Sequence, residues 1–352
     1  MRTESRLGFQ AVWVDPAQDF ERAFTLFYYP EDGDVELIED KRKKAFLRKC
    51  APETPIALDE LFIGATVTIW SRRLTVRGYA DERTATAMKT KREESFALVS
   101  SENVCRIGRI VHAMQENGLT IAEMKTVAFG TSRLEELETA LPRNARALAS
   151  GTSCAIRAIG CEANAILARL FAHTNDVVRS MDEEHARALG ELATGSSSKS
   201  PTEHSSLVVV KPSGMAHLGA ILDFLCEKKG LDLIQARTLA LTRLEAEAFY
   251  AVYVDVLDKE EVKMMIDELS CGACVALQLS RLRSPETLVD DIREIVGPRD
   301  PEIARVLRPE SLRARFGEDK QRNAVHCADL TEDGELEVDF MFNLPRRTSV
   351  VA

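Results

Sequence analysis

The chain has no excess of positive charge. Its 352 residues include 46 Lys and Arg against 56 Asp and Glu, which gives a formal net charge of -10. Affinity for nucleic-acid backbones comes mainly from clustered Lys and Arg, so this balance argues against a general nucleic-acid binder. A localised basic patch remains compatible with it.

Long apolar runs are also missing. No segment approaches the roughly 20 apolar residues that span a bilayer. The first ten residues, MRTESRLGFQ, lack the hydrophobic segment of a signal peptide. We therefore expect an intracellular protein with no membrane partner.

Cysteines at metal-binding spacing are scarce. Eight cysteines are scattered along the chain, and only Cys271 and Cys274 are separated by two residues. These two lie in the apolar stretch CGACVALQL, which is typical of a core strand, and cysteines in such strands are usually buried. We predict two buried thiols there rather than a metal or redox site.

The chain does contain enough hydrophobic residues, 45% of the total, for two or three globular domains. The clearest boundary is GSSSKSPTEHSS, residues 195–206, whose small polar residues cannot form a core and predict a linker. A second boundary falls near Thr90–Phe96, where strand-like alternation gives way to helical periodicity. The predicted domains are residues 1–93, 94–194 and 207–352.

Short β-type runs fill the first domain. AFTLFYYP, VELIED, KAFLRKC, ATVTIWS and RLTVRGY are separated by turn signals such as EDGD and APETP. The domain holds 16 Lys and Arg and 16 Asp and Glu, so the acidity of the chain lies after it. The basic run Lys41–Lys44 could meet an acidic partner, but next to Glu39 and Asp40 it is more typical of a solvated loop.

The rest of the chain contains an internal repeat. FALVSSENVCRIGRIVHAMQENGLTI, from Phe96, matches LVVVKPSGMAHLGAILDFLCEKKGLDL, from Leu207, so that Gly108 is equivalent to Gly219. Each copy reads as strand, helix, strand, helices, strand. The amphipathic helix Leu218–Lys229 would cover a sheet with its apolar face. Beyond the shared part, the second copy continues and the first does not.

Among the six histidines, only His326 lies among polar and charged residues arranged like a site, in the run FGEDKQRNAVHCADL. The same copy contains Lys211 after a strand, Arg293 at the end of a helix, and Arg313. Phosphoryl transfer needs cations that hold phosphates around a nucleophile, so these residues could form a phosphotransfer site. Spacing alone leaves open that His326 is structural and that the cations are ordinary surface charges.

Three segments of the second copy, VVVKPSG, VYVDV and RPESLRARFGEDKQRNAVHCAD, resemble the signature segments of nucleoside diphosphate kinases. The resemblance covers the chain from Ser205. In that family a histidine takes the terminal phosphate of a nucleoside triphosphate and passes it to a diphosphate in a ping-pong cycle, and Mg²⁺ arrives with the nucleotide. By position, His326 is the implied nucleophile and Glu337 the carboxylate that orients its ring. The implied nucleotide-binding residues are Lys211, Tyr253, Arg293, Arg313 and Asn323.

Two positions depart from the family pattern. Arg299 stands where the resemblance implies a threonine that bonds phosphate, and Glu261 stands where it implies an aromatic residue that stacks on the base. Loss of such a stack costs about 1–3 kcal/mol of affinity. A carboxylate near a polyphosphate adds repulsion, so we expect weakened nucleotide binding.

The first copy departs further. Ser100 replaces Lys211, and no counterpart of the RPESLR or RNAVH segments precedes the linker. This copy cannot perform the chemistry by the same route. We expect a truncated kinase fold that packs on the second copy as one subunit packs on another.

The segments GFQAVWVDPAQDFERAFTLFYYPEDGDVELIE and LDELFIGATVTIWSRRLTVRGYAD resemble the DM-ten domain, a small pleckstrin-homology-like domain of ciliary doublet-microtubule proteins. Together with two kinase-like copies, this resemblance implies an axonemal branch of the nucleoside diphosphate kinases. Members of this branch are implied to bind tubulin and other doublet-microtubule proteins of cilia and flagella. They are also implied to associate with the gamma-tubulin complex at centrosomes.

The predicted fold is therefore α+β. A β-rich pleckstrin-homology-like domain precedes two ferredoxin-like nucleoside diphosphate kinase folds with antiparallel sheets, of which the first is truncated. Two compatible functions follow from the resemblance. The degenerate first copy, Arg299 and Glu261 favour a structural axonemal protein that binds tubulin, whereas the retained set around His326 favours a working phosphotransferase that binds nucleoside di- and triphosphates.

Overall fold

A computed structural model describes residues 5–15, 20–61, 65–70, 72–89, 93–130, 133–174, 177–194, 204–281 and 285–345. The chain divides into two compact units, which consist mainly of Met1–Glu93 and of Glu94–Ile159 with Ala163–Val350. Residues 195–203 of the predicted linker lie outside the described residues. No helix in the described ranges is both long and apolar enough to cross a membrane.

The first unit is built on a six-stranded antiparallel sheet with the order β4-β3-β2-β1-β6-β5. Alternating residues of its strands point into one apolar core that includes Phe9, Phe24 and Leu74. The five predicted β-type runs form β2 to β6, which confirms the β-rich prediction, whereas β1 and α1 were not predicted as elements. The elements are β1 (Leu7–Asp15), β2 (Phe20–Tyr29), β3 (Asp34–Glu39), β4 (Lys44–Cys50), β5 (Thr66–Ile69), β6 (Arg72–Tyr79) and helix α1 (Glu82–Lys89).

The first repeat copy alternates strands with helices and covers its sheet with them, as the α+β prediction requires. Its elements are β7 (Glu93–Val99), α2 (Ile107–Glu116), β8 (Thr120–Val127), α3 (Leu134–Ala140), α4 (Ala145–Ala149), β9 (Ser153–Gly160), α5 (Ala163–Leu170), β10 (Val177–Arg179) and α6 (Glu183–Thr194).

The second copy follows the same plan with two further helices, α11 and α12, among the described residues. Its elements are β11 (Ser205–Val210), α7 (Leu218–Leu222), β12 (Asp232–Ala240), α8 (Arg243–Phe249), α9 (Lys259–Ser270), β13 (Ala273–Ser280), α10 (Leu288–Val296), α11 (Pro301–Leu307), α12 (Leu312–Phe316), β14 (Val325–Cys327) and α13 (Thr331–Asn343). The predicted helix Leu218–Lys229 begins as α7 and widens into a π-helix over Asp223–Lys228, with its apolar face buried as expected.

The two copies share one eight-stranded sheet with the order β10-β7-β9-β8-β12-β13-β11-β14. At the junction, the Met124 amide donates to the Thr238 hydroxyl (2.8 Å), and the Ala236 amide donates to the Thr126 hydroxyl (3.2 Å). The repeat makes Thr126 equivalent to Thr238 and Met124 equivalent to Ala236. Each contact therefore occurs twice with the copies exchanged, which is the signature of a two-fold, isologous interface.

Helices α2 and α7 cross at the equivalent glycines. A Cβ atom on Gly108 would lie 2.0 Å from the backbone nitrogen of Asp223, and one on Gly219 would lie 2.2 Å from that of His112. Only glycine permits backbones to approach so closely. A single apolar core, with residues of both copies such as Ile107 and Leu218, fills the space around this crossing.

The first copy is shorter than the second, but not at its end as we expected. Strand β10 pairs Val178 with Leu98, just as β14 pairs His326 with the equivalent Val209. The shortening is internal: residues 161–176 join β9 to β10, where residues 281–324 join β13 to β14. A counterpart of the terminal strand and helix therefore exists, whereas nothing in the described part of 161–176 corresponds to α11 and α12.

The prediction of two buried thiols at the CGAC motif was half wrong. Cys274 is fully buried in β13, but Cys271 lies at the end of α9 with its side chain exposed. The strand begins two residues later than the apolar run suggested, so Cys271 ends the preceding helix instead of entering the core.

Candidate active site

His326 lies on β14, the edge strand of the eight-stranded sheet, and its side chain is buried. Its Nε2 atom lies 2.9 Å from the Glu337 carboxylate on α13. Phe249 and Tyr250 present their rings edge-on to the imidazole, with centroids 5.1 and 5.6 Å away. When Nε2–H donates to Glu337, the lone pair is held on Nδ1, so this pair leaves Nδ1 as the nucleophilic atom.

The backbone before His326 is held by the turn that follows β11. The Lys211 amide donates to the Ala324 carbonyl (2.9 Å), and a Cβ on Gly214 would lie 2.4 Å from that same oxygen. Ala324 itself has a positive φ of 66°, which is uncommon for a residue with a side chain. The VVVKPSG segment therefore fixes the backbone that presents the histidine.

Lys211 is buried, with 3% exposure, and its ammonium donates to the Gln321 carbonyl (2.9 Å). Burial is the main cause that lowers the pKa of Lys211 to about 8. The Glu268 carboxylate opposes this shift, and the nearby Arg313 and Arg299 lower the pKa further. The lowered pKa thus reflects mainly a buried ammonium that also has two arginines nearby.

This shift predicts a pH-dependent stability. The folded-state pKa of Lys211 is below that of an unfolded chain, so the cost of the buried ammonium is fully present below pH 8 and is relieved as pH rises to about 10.5. We expect Lys211→Met to raise the free energy of unfolding at pH 7 by roughly 1–3 kcal/mol. The gain should shrink towards pH 10 in thermal or denaturant unfolding. A loss of stability, or an equal gain at both pH values, would contradict this account.

Arg313 and Asn323 contact the same stretch of backbone. Arg313 donates through Nε to the Val325 carbonyl (3.1 Å) and through a terminal nitrogen to the Gly297 carbonyl (2.9 Å). Asn323 is buried and donates through Nδ2 to the Arg299 carbonyl (2.9 Å), and its buried Oδ1 has no hydrogen-bond partner among the described residues. Lys211 and Arg313 thus both donate to the backbone of residues 321–325, directly before His326.

Tyr253 and Arg293 are joined through Asp329, a residue that the sequence reasoning did not single out. The Tyr253 hydroxyl donates to Asp329 Oδ2 (2.7 Å), and Arg293 Nε lies 3.8 Å from Asp329 Oδ1. Burial and this hydrogen bond raise the pKa of the Tyr253 hydroxyl, which keeps it protonated. Asp329 lies in the run FGEDKQRNAVHCADL, but nothing in the sequence indicated that an acidic residue there contacts Tyr253 and Arg293.

Comparisons with known proteins identify the family of the chain. The family model "Nucleoside diphosphate kinase" matches residues 204–346. Rat nucleoside diphosphate kinase homolog 7 is 31% identical over an alignment of 378 positions, which covers 96% of this chain and 93% of the rat protein. The mouse homolog 7 is 30% identical over 379 residues, with the same shares covered.

The chain belongs to the nucleoside diphosphate kinase homolog 7 family. This confirms the family resemblance, and the N-terminal sheet and the first copy lie within the matched length. The nucleoside diphosphate kinase of Aquifex aeolicus is 34% identical over 140 residues, which are 39% of this chain and 93% of that enzyme. The Aquifex protein is thus similar, over almost its whole length, to only part of this chain.

The two departures from the kinase pattern contact each other. Arg299, after α10, lies 3.4 Å from the Glu261 carboxylate in the first turn of α9, and Lys320 also pairs with that carboxylate. Glu261 is 22% exposed and Arg299 is 27% exposed. The charge of Glu261 is therefore compensated by two cations, and the repulsion expected from its sequence position is reduced.

A magnesium ion that arrives with a nucleotide would need few ligands from the protein. Within the described ranges, no group of three or more His, Cys, Asp or Glu side chains could hold a metal ion. Mg²⁺ is commonly held by substrate phosphates, water and one or two carboxylates. Asp329 is the carboxylate that lies beside the proposed phosphate-side residues Tyr253 and Arg293.

Proposed function

We propose that the second copy is a phosphotransferase that carries phosphate on His326 between a nucleoside triphosphate and a diphosphate. The observation that supports this most strongly is the buried pair of His326 and Glu337, 2.9 Å apart, on a strand whose preceding backbone accepts hydrogen bonds from the buried Lys211. A histidine needed only for packing would not require an orienting carboxylate together with a cluster of cations.

The chemistry follows from the two ring nitrogens. Nδ1 attacks the terminal phosphorus, a nitrogen–phosphorus bond forms, and the bond to the departing diphosphate breaks. Glu337 at Nε2 holds the ring orientation and stabilises its positive charge as the bond forms. Lys211 and Arg313 neutralise negative charge on the phosphates, and Mg²⁺ bound to the nucleotide supplies further charge compensation. A second diphosphate reverses the steps.

We infer that the first copy has no such activity. Val178 occupies the position equivalent to His326, and Leu189, eleven residues further on as Glu337 is from His326, is buried in α6. Neither side chain can accept phosphate or orient a base. We infer that this copy is a shortened kinase-like fold whose role is to complete the shared sheet and core.

The direct test is incubation of the full chain with labelled MgATP. We expect acid-labile, base-stable label on the peptide that contains His326, and saturable binding of MgADP. Absence of label together with absence of saturable binding at millimolar nucleotide would reject the enzymatic proposal and leave His326 as an inherited structural residue.

We further propose that the chain is a structural component of ciliary doublet microtubules, anchored by a DM-ten, pleckstrin-homology-like domain. One feature of the first unit favours a binding role. Strand β4 is an edge strand with largely exposed side chains, and residues 41–49 contain six Lys and Arg. The predicted solvated run Lys41–Lys44 is exposed and forms the turn before β4 and its first residue. A cationic edge suits an acidic protein partner such as tubulin.

Deletion of Met1–Glu93 should therefore release the protein from isolated axonemes. Replacement of Lys41, Arg42, Lys43 and Lys44 by glutamate in the full chain should weaken retention, most clearly at low salt, because exposed charges are screened as salt rises. Retention would be measured by sedimentation with axonemes. Normal retention of both variants would place the anchor in the repeat copies.

A further inference from the structure

The ion-paired cluster of Glu261, Arg299 and Lys320 brings together three separate segments of the second copy. Glu261 is in the first turn of α9, Arg299 lies between α10 and α11, and Lys320 precedes β14. One carboxylate thus contacts two cations. Sequence reasoning treated Glu261 and Arg299 as two separate defects, whereas the structure makes them one unit.

Arg299 lies close to residues that are proposed to bind the phosphates of the nucleotide. Its carbonyl accepts a hydrogen bond from the buried amide of Asn323 (2.9 Å). Its guanidinium is close enough to Lys211 to disfavour the charge on that ammonium, and it is within electrostatic reach of Tyr253 and Asp329. Arg299 therefore belongs to the same group of charges as the residues assigned to phosphate.

The ion pair between Arg299 and Glu261 is weak enough to open. The shortest distance between the two groups is 3.4 Å, and both side chains remain partly accessible to solvent. Partly exposed pairs of this kind contribute little to stability. A polyphosphate carries several negative charges and can accept two parallel hydrogen bonds from one guanidinium, so it is a stronger partner for arginine than a single carboxylate.

We propose that Arg299 is a phosphate-binding residue that is paired with Glu261 until a polyphosphate substrate displaces the carboxylate from it. Glu261 occupies the arginine in the ligand-free protein and lowers the apparent affinity for phosphate ligands. Lys320 keeps the displaced carboxylate neutralised when Arg299 turns to the ligand. This inference rests on the proposed phosphotransferase site and adds a specificity-determining residue to it.

The test is a double-mutant cycle in the full chain, with Mg-ADP and inorganic tripolyphosphate as separate probes in titration calorimetry. Glu261→Gln frees Arg299 and should tighten binding of both probes by about two- to fivefold, the range of a partly exposed ion pair. Arg299→Ala should weaken binding of both. In the Arg299→Ala background, Glu261→Gln should give little or no gain. Glu260→Gln is the matched control, since it removes the same charge from the same helix turn without contact to Arg299.

The outcomes separate this inference from the function on which it rests. If Glu261→Gln tightens binding equally with and without Arg299, the carboxylate acts by general repulsion and the proposal is overturned. The same holds if Glu260→Gln has the same effect as Glu261→Gln, or if Arg299→Ala binds as tightly as the parent protein. If the parent protein and Glu261→Gln both fail to bind either probe, both the proposed phosphotransferase site and the inference about Arg299 are rejected. Coupling confined to the Glu261 and Arg299 pair supports the inference.

Discussion

His326→Ala is expected to abolish phosphoenzyme formation with labelled MgATP, a loss of at least roughly a thousandfold, because a ping-pong cycle has no other group to carry the phosphate. Because the imidazole of His326 is buried and held by Glu337, we expect the loss to be specific to substitution of this histidine. Glu337→Gln should cause a smaller loss, since an amide oxygen can still accept from Nε2–H but does not stabilise the charged ring. Both variants should retain the thermal stability of a folded chain.

The matched control is His112→Ala in the first copy. His112 also pairs with a glutamate, since its Nε2 lies 3.2 Å from Glu116, but it is about half exposed and lies outside the proposed site. Its replacement should leave labelling unchanged. Equal label on His326→Ala and on the parent protein would place the phosphate on another residue and reject the assignment of the nucleophile.

The second large effect concerns the crossing of α2 and α7. Gly219→Ala would place a Cβ atom 2.2 Å from the His112 backbone nitrogen, and Gly108→Ala would place one 2.0 Å from that of Asp223. Backbone atoms cannot give way as a flexible side chain can. We expect each substitution to lower the free energy of unfolding of the paired copies by at least about 3 kcal/mol.

A glycine with room for a side chain is the control for this prediction. In α6, a Cβ on Gly190 would lie 3.6 Å from its nearest neighbour on Phe96, which is an ordinary contact. Gly190→Ala should be neutral or stabilising by up to about 1 kcal/mol, since alanine favours helices more than glycine. Denaturant unfolding of the three variants provides the comparison. Similar midpoints for all three would show that the copies do not pack through this crossing.

The internal repeat was the feature of the sequence that best predicted the fold. The match of Gly108 with Gly219 placed equivalent helices and strands correctly, because apolar periodicity and glycine spacing are local properties of the chain. The reciprocal contacts between the two copies depend instead on tertiary packing. The expectation that one copy packs on the other described the kind of interface but not the two threonines, Thr126 and Thr238, that bond across it.

The prediction for the end of the first copy was wrong because Val178 stands there in place of a histidine. The sequence TNDVV before α6 is comparable to RNAVH before α13, with Val178 at the place of His326. A strand of three residues has too weak a pattern to be recognised when its functional residue is replaced. Its pairing with β7 depends on the whole sheet, which sequence periodicity does not report.

The candidate site was predictable as a set of residues but not as a set of contacts. Lys211, Arg313 and Asn323 were identified by position; in the structure Lys211 and Arg313 donate to the backbone of residues 321–325, and Asn323 donates to the Arg299 carbonyl. The pairing of Glu261 with Arg299 could not be predicted, because they are far apart in sequence and each had been compared with the family pattern alone. Electrostatic compensation between such residues is visible only in three dimensions.

The most direct test of the account is a single-turnover transfer from the isolated phosphoprotein. The full chain would be labelled with MgATP, freed of nucleotide and mixed with an unlabelled nucleoside diphosphate and Mg²⁺. We predict that label leaves His326 and appears in the nucleoside triphosphate in equal amount. Label that stays on the protein, or that leaves only as inorganic phosphate, would contradict the proposal that this site transfers phosphate between nucleotides.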